Sequence, residues 1–231
     1  MRLMKWWLLP AVLVALSGSF VLAQEAEKPT EKKAEEGAEE LKEEDKPAKP
    51  DEEAEPDKAT VGKKAPGFTL KNADGKEIKL SDYAGKIVVI EWVNLDCPWC
   101  KKHYEGKDEL VKQQKKVRED GGEWLLICSS ASGKQGNFDA ETLKTRLQKV
   151  GLEGATYLID ADGTVGKKYE AKTTPHTFVI DKKGVLRYAG ALDNLPKQSR
   201  GKAEPVNYVA NALEAIKADK EVAEKEVKPY G

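Results

Sequence analysis

Apolar positions along this chain fall into short runs whose spacing alternates between that of strands and that of helices. Phe68-Thr-Leu70 and Glu77-Ile-Lys-Leu80 alternate on either side of Asn72-Ala-Asp-Gly75, which predicts a hairpin about a tight turn. Lys86–Val93 is an almost unbroken apolar run, as in a strand covered on both faces. Over Pro98–Arg118 the spacing lengthens, and Cys100, Tyr104, Lys107, Val111 and Val117 form one helical stripe. Trp124–Ser129 reads as a second buried strand. A polar loop, Ser130–Gly136, follows it, and then a helix from Phe138 to Val150 with Leu143, Leu147 and Val150 inward. Tyr157–Asp160 is a short strand stopped by Asp160-Ala-Asp-Gly163. Thr177–Asp181 and Val185–Ala189 flank Asp181-Lys-Lys-Gly184 as a second hairpin. A last helix is expected from about Pro205, with Val206, Val209, Leu213 and Ile216 in register. Strands interleaved with helices in this order predict an α/β fold, a central mixed sheet flanked by helices.

Composition changes the picture mainly at the amino-terminal end. The 231 residues carry 39 Lys+Arg and 40 Asp+Glu, a formal net charge of −1. That balance hides a strongly divided chain. Residues 1–23 hold only Arg2 and Lys5, residues 24–60 hold 15 acidic and 7 basic side chains, and the remainder is net +5. Met1–Ala23, with its basic start, the apolar Leu8–Leu16 and Val21-Leu22-Ala23 before Gln24, reads as a secretory signal cut ahead of Gln24. The competing reading is an uncleaved membrane anchor over Trp6–Ala23, which Ser17, Gly18 and Ser19 weaken. The next stretch has Leu41 as its only large apolar residue and carries Pro29, Pro47, Pro50 and Pro56, the composition of a disordered acidic spacer. The expected organisation is a signal peptide at 1–23, a linker at 24–58, one domain at 59–220 and a tail at 221–231. A +5 domain lacks the basic excess that phosphate binding needs, so nucleic acid is not an expected partner. The absence of any repeat of solenoid length excludes that architecture.

The chemistry concentrates in Cys97-Pro98-Trp99-Cys100, at the end of a predicted buried strand and the start of a helix. Two cysteines three apart on a first helical turn lie within disulfide reach. The first stands among unpaired backbone N–H groups at the positive end of the helix dipole, which favours a thiolate. Cys97 is therefore the expected nucleophile and Cys100 the resolving thiol. A structural disulfide and a zinc site are the alternatives. A loop this short constrains the unfolded chain little, and zinc would need further ligands from Cys128, His103 and His176. Cys128 reads as a small buried hydrophobe. Glu91, near the end of an apolar strand, is costly to bury unless used. Six residues before Cys97, it is placed to sit beneath the pair with a raised pKa and to take the Cys100 proton. The alternative for Glu91 is a side chain reaching solvent at a strand edge.

Strand, Glu91, Cys-Pro-x-Cys and helix, followed much later by Thr173-Thr174-Pro175-His176-Thr177-Phe178, resemble the thioredoxin-like superfamily. More closely, the chain is similar to the exported redoxin branch related to the alkyl hydroperoxide reductase/thiol-specific antioxidant family, over about residues 59–218. The resemblance implies a thioredoxin-like fold with an amino-terminal β-hairpin and an inserted helix; no cofactor or metal is expected from the residues present. It also implies a cis Pro175 facing the cysteines, with Pro98, Trp99, Thr174 and Pro175 forming the substrate-binding surface. Thr174 would offer backbone groups to an extended substrate. His176 is expected either to line the site or to stand by it, and His103 to lie on the helix surface. Asp96, just before Cys97, is expected to oppose the thiolate. Peroxidases of the wider family carry Pro and Thr or Ser where this chain has Ile90 and Asn94.

The expected function is therefore thiol–disulfide exchange with exported protein thiols and disulfides, supplied by an unidentified thiol-disulfide electron donor. Membrane contact is expected only if the signal segment stays attached. Two alternatives stand beside it: a peroxidase with Cys97 peroxidatic and Cys100 resolving, and a non-catalytic adaptor of the same fold.

Overall fold

The computed structural model describes residues 57–105, 108–198, 201 and 204–231. The predicted signal peptide at 1–23, and all but the last two residues of the predicted linker at 24–58, lie outside the described residues.

At the centre is β3 (Val88–Trp92), every residue of which is buried. It runs parallel to β4 (Glu123–Cys128) and antiparallel to β6 (His176–Ile180). Outward on one side, β4 pairs in parallel with β5 (Thr156–Ile159), and β5 pairs with β1 (Thr69–Asn72) of the β1–β2 hairpin, β2 being Glu77–Lys79. On the other side β6 turns back into β7 (Leu186–Gly190), and β8 (Glu226–Val227) adds in parallel at the edge. The eight-stranded order is β2-β1-β5-β4-β3-β6-β7-β8, a mixed sheet as the α/β pattern requires.

Alternation along the strands sends side chains into two apolar layers. Val88, Ile90 and Trp92 join Leu125, Ile127, Phe178 and Tyr169 on one face. Val89 and Val93 join Trp124, Leu126 and Val179 on the other, beneath α1 (Pro98–Tyr104), α2 (Glu109–Glu119), α3 (Ala140–Lys149) and α5 (Tyr208–Lys217). Glu91 alternates with Val89 and Val93 and so points into this second layer, the one that contains Cys100 and Tyr104.

The structure differs from the sequence reading at four places. The single helix expected over Pro98–Arg118 is two, because Glu105 turns extended and ends α1. The last helix begins at Tyr208 rather than Pro205. Asn207 caps it by accepting from the Ala210 N–H, while Val206 N–H donates to the Asn194 side chain at 2.9 Å. A short helix, α4 (Thr164–Lys168), follows the Asp160–Gly163 turn, its first amides held by the Asp160 carboxylate. The stretch read as a tail supplies β8, whose close approach needs Gly190, since a Cβ there would lie 2.2 Å from the Val227 carbonyl oxygen.

Candidate active site

Cys97 is the N-cap residue of α1 and Pro98 occupies the first turn, where its missing N–H costs nothing. The Cys97 N–H donates to the Asn94 carbonyl at 2.9 Å, and the Asn94 side chain accepts from the Asp96 N–H at 2.9 Å. This turn delivers Cys97 to a partly exposed position at the end of β3. Cys100 lies one turn deeper with no exposed surface. Both thiols are free. Across from them the Thr174–Pro175 bond is cis, and the Cys97 thiol donates to the Thr174 carbonyl at 3.1 Å.

The two sulfurs are electrostatically unequal. The Cys100 thiol, hydrogen bonded to the Cys97 sulfur, pulls the Cys97 pKa down to about 5. Thr174 and the Trp99 and Cys100 N–H groups assist against partial burial. The same hydrogen bond, burial and the Glu91 charge push the Cys100 thiol well above its ordinary value. One thiol is poised to ionise, and the other keeps its proton until something takes it.

Glu91 is fully buried, with no exposed surface. Burial raises its pKa to about 7, against the opposing pull of hydrogen bonds from Tyr104 and Trp124. The Tyr104 hydroxyl lies 2.8 Å from each carboxylate oxygen, Trp124 Nε1 donates at 3.0 Å and Gln114 Nε2 approaches at 3.4 Å. Gln114 Nε2 also donates to the Tyr104 hydroxyl at 2.9 Å. The alternative of a Glu91 reaching solvent is thereby overturned. Tyr104, Trp124 and Gln114 were not singled out in the sequence. Tyr104 belongs to the inward stripe of α1, but nothing in the spacing reveals that its hydroxyl meets a strand thirteen residues earlier.

Two other expectations are corrected, and the open alternative for His176 falls to the bystander. Asp96 does not stand as an uncompensated charge: Arg146 of α3 donates to it, and Lys101 Nζ lies at 4.0 Å. His103, expected on the surface, is buried, with Nε2 2.9 Å from the Tyr230 hydroxyl and Nδ1 3.8 Å from Asp193. His176 alternates onto the face of Phe178, away from Glu91. Its ring lies 4.5 Å from the Phe178 ring, it accepts from the Lys172 N–H, and burial lowers its pKa to about 4. Cys128 is buried as expected and its thiol also donates to the Gly136 carbonyl at 3.3 Å. Trp99 is half-buried, stacked edge-on with Tyr230 at 5.2 Å and covered by the Lys102 ammonium at 4.1 Å.

A mixed sheet between helical layers, with Cys-x-x-Cys at a strand-to-helix junction facing a cis-proline, defines a thioredoxin-like protein. Comparison with known proteins narrows this. Residues 61–189 match the AhpC/TSA family model, and the chain belongs to that family. Among curated relatives it is 28% identical over 128 residues to thiol-disulfide oxidoreductase ResA of Bacillus cereus, covering 55% of this chain and 68% of that protein. It is 34% identical over 156 residues to glutathione peroxidase 1 of Caenorhabditis elegans, covering 52% of this chain and 94% of that protein. An uncharacterized conserved protein of Geobacillus kaustophilus has a similar solved structure, with TM-score 0.62 and 28% identity over 74% of this chain and 88% of that one.

Proposed function

We propose that the protein is a thiol-disulfide oxidoreductase that exchanges its Cys97/Cys100 dithiol with disulfides of exported proteins. The observation that carries this reading is the opposite poise of the two thiols, Cys97 lowered to about 5 and Cys100 raised above its ordinary value, with Glu91 buried in the same layer. The Cys97 thiolate attacks one sulfur of a substrate disulfide. A Cys97 mixed disulfide forms and the other substrate sulfur leaves as a thiolate. Glu91 then accepts the Cys100 proton, and the Cys100 thiolate attacks the Cys97 sulfur. That step releases the second substrate thiolate and leaves a Cys97–Cys100 disulfide, so two electrons pass to the substrate. A thiol-disulfide donor restores the dithiol by the reverse exchange. Pro98, Trp99, Thr174 and Pro175 frame the docking surface for the substrate segment.

The name of the ResA relative supports exchange chemistry, and the signal-like residues 1–23 support an extracytoplasmic setting, with a linker over 24–58 tethering the domain. The peroxidase reading draws on the name of the second relative. Against it, Asn94 stands where a peroxide-polarising hydroxyl would be, with its side chain engaged by Asp96 and Gln135.

Trapping separates these readings. Cys100→Ser, which cannot complete the second exchange, is expected to accumulate covalent complexes with exported proteins that dithiothreitol dissolves. Cys97→Ser is expected to trap few. Sulfenic acid at Cys97 with no trapped partner would contradict the exchange reading. Partner binding that survives loss of both thiols would favour the adaptor.

A further inference from the structure

The surface beside Cys97 that an extended substrate would use is already covered by the chain's own last residues. Gly231 lies so close to the Thr173–Thr174 backbone that a Cβ on it would stand 2.5 Å from the Thr174 carbonyl oxygen, the same oxygen that accepts from the Cys97 thiol. The preceding residue fastens this arrangement. Tyr230 packs its ring edge-on against Trp99 at 5.2 Å, and its hydroxyl donates to the Asp193 carboxylate. Because that single proton is committed to Asp193, the contact with His103 at 2.9 Å runs the other way, from Nε2–H to the tyrosine oxygen. Upstream, β8 is paired with β7 at the sheet edge and Val227 seats against Gly190. Residues 228–231 thus run from a sheet-anchored strand, over α1, to the carbonyl that faces the reactive sulfur.

We propose that residues 228–231 are a built-in occupant of the peptide-docking shelf, and that Tyr230 and Gly231 decide which disulfides reach Cys97. Compact disulfides reach the thiol with the segment in place. An extended protein segment docks on Thr174 only when the segment lifts, so its apparent affinity is reduced by the fraction of molecules in the lifted state. The proposal rests on the exchange reading of Cys97, but its geometry is testable without turnover. Two features point to displacement rather than permanent closure. Lys228 is exposed and Tyr230 only partly buried, and Gly231 makes its contact through backbone rather than an interlocked side chain. A glycine is also what the position demands, since any side chain would meet the Thr174 carbonyl.

The test compares two thiolate-directed probes of the same chemistry on the full-length reduced protein: iodoacetamide and an iodoacetylated unstructured peptide. Tyr230→Ala removes the clamp. Gly231→Val pushes the segment off the shelf while leaving the core side chains untouched, so it guards against misfolding of the first variant. Each is expected to raise the peptide-to-iodoacetamide rate ratio at Cys97 by about tenfold, the scale set by losing one or two hydrogen bonds that hold a closed state. Equal ratios in wild type and both variants would overturn the proposal. A raised ratio without any exchange of protein disulfides would leave the occupant in place and sink the exchange reading instead.

Discussion

The hydroxyl of Tyr104 bridges both oxygens of the Glu91 carboxylate at 2.8 Å, joining the end of α1 to the fourth residue of β3 inside a buried layer. The same short helix that carries Cys97 and Cys100 therefore also holds the group placed to accept the Cys100 proton. The Glu91 charge in turn helps push the Cys100 thiol up.

That burial has a cost that depends on pH. The unfolded chain releases the Glu91 proton near 4.5, whereas the folded protein holds it to about 7. Stability is full below the lower value and is lost as pH rises through the upper one, because there the unfolded state ionises more readily. Glu91→Gln abolishes this loss. Denaturant unfolding should show the variant gaining as much as ~3 kcal/mol relative to wild type between pH 4 and pH 8. Resolution of mixed disulfides in the same variant should slow by about 10²–10⁴-fold, with attack by Cys97 little changed. A pH-independent stability difference would show that Glu91 does not titrate in this range.

Tyr104→Phe removes a donor that favours the ionised carboxylate, so the Glu91 pKa should rise further. The alkaline shift expected in the pH profile of mixed-disulfide resolution is about one to two units, since a hydrogen bond to an ionised group is worth about 1.5–3 kcal/mol. A shift to lower pH, or a profile that does not move, would detach Tyr104 from the proton acceptor.

Arg146 compensates the Asp96 carboxylate one residue before Cys97. In Arg146→Ala the uncompensated charge should disfavour the thiolate. The pH midpoint of Cys97 alkylation should then move upward from about 5, by roughly half a unit to one unit, and more at low ionic strength. Salt-independent alkylation identical to wild type would mean that Lys101 and solvent suffice.

Much of this arrangement was legible before the structure. The buried strands, the Cys-Pro-Trp-Cys junction and Glu91 inside an apolar run each leave a local mark, because periodicity, helix-start chemistry and one misplaced charge can be read over a few residues, whereas the cis bond before Pro175 follows only from the family resemblance. What could not be read depends on convergence. Tyr104, Gln114 and Trp124 come from two helices and a neighbouring strand to meet one carboxylate. Arg146 reaches Asp96 across fifty residues of sequence. Tyr230 returns to His103 and Trp99 only because a two-residue strand, too short to show alternation, pins the end of the chain to β7. His103 was misread for the same reason, since a histidine among lysines near a helix end looks solvated until something covers it.

The central claim, that Cys97 and Cys100 exchange disulfides rather than reduce peroxide, is tested most directly by stopped-flow oxidation of the reduced protein. A protein disulfide and hydrogen peroxide serve as competing oxidants, with formation of the Cys97–Cys100 disulfide and of free substrate thiols as the readouts. The account predicts rapid, stoichiometric reduction of the protein disulfide and a peroxide reaction no faster than that of an ordinary low-pKa thiol. Oxidation by peroxide that outpaces the protein disulfide, with no substrate thiol released, would contradict it.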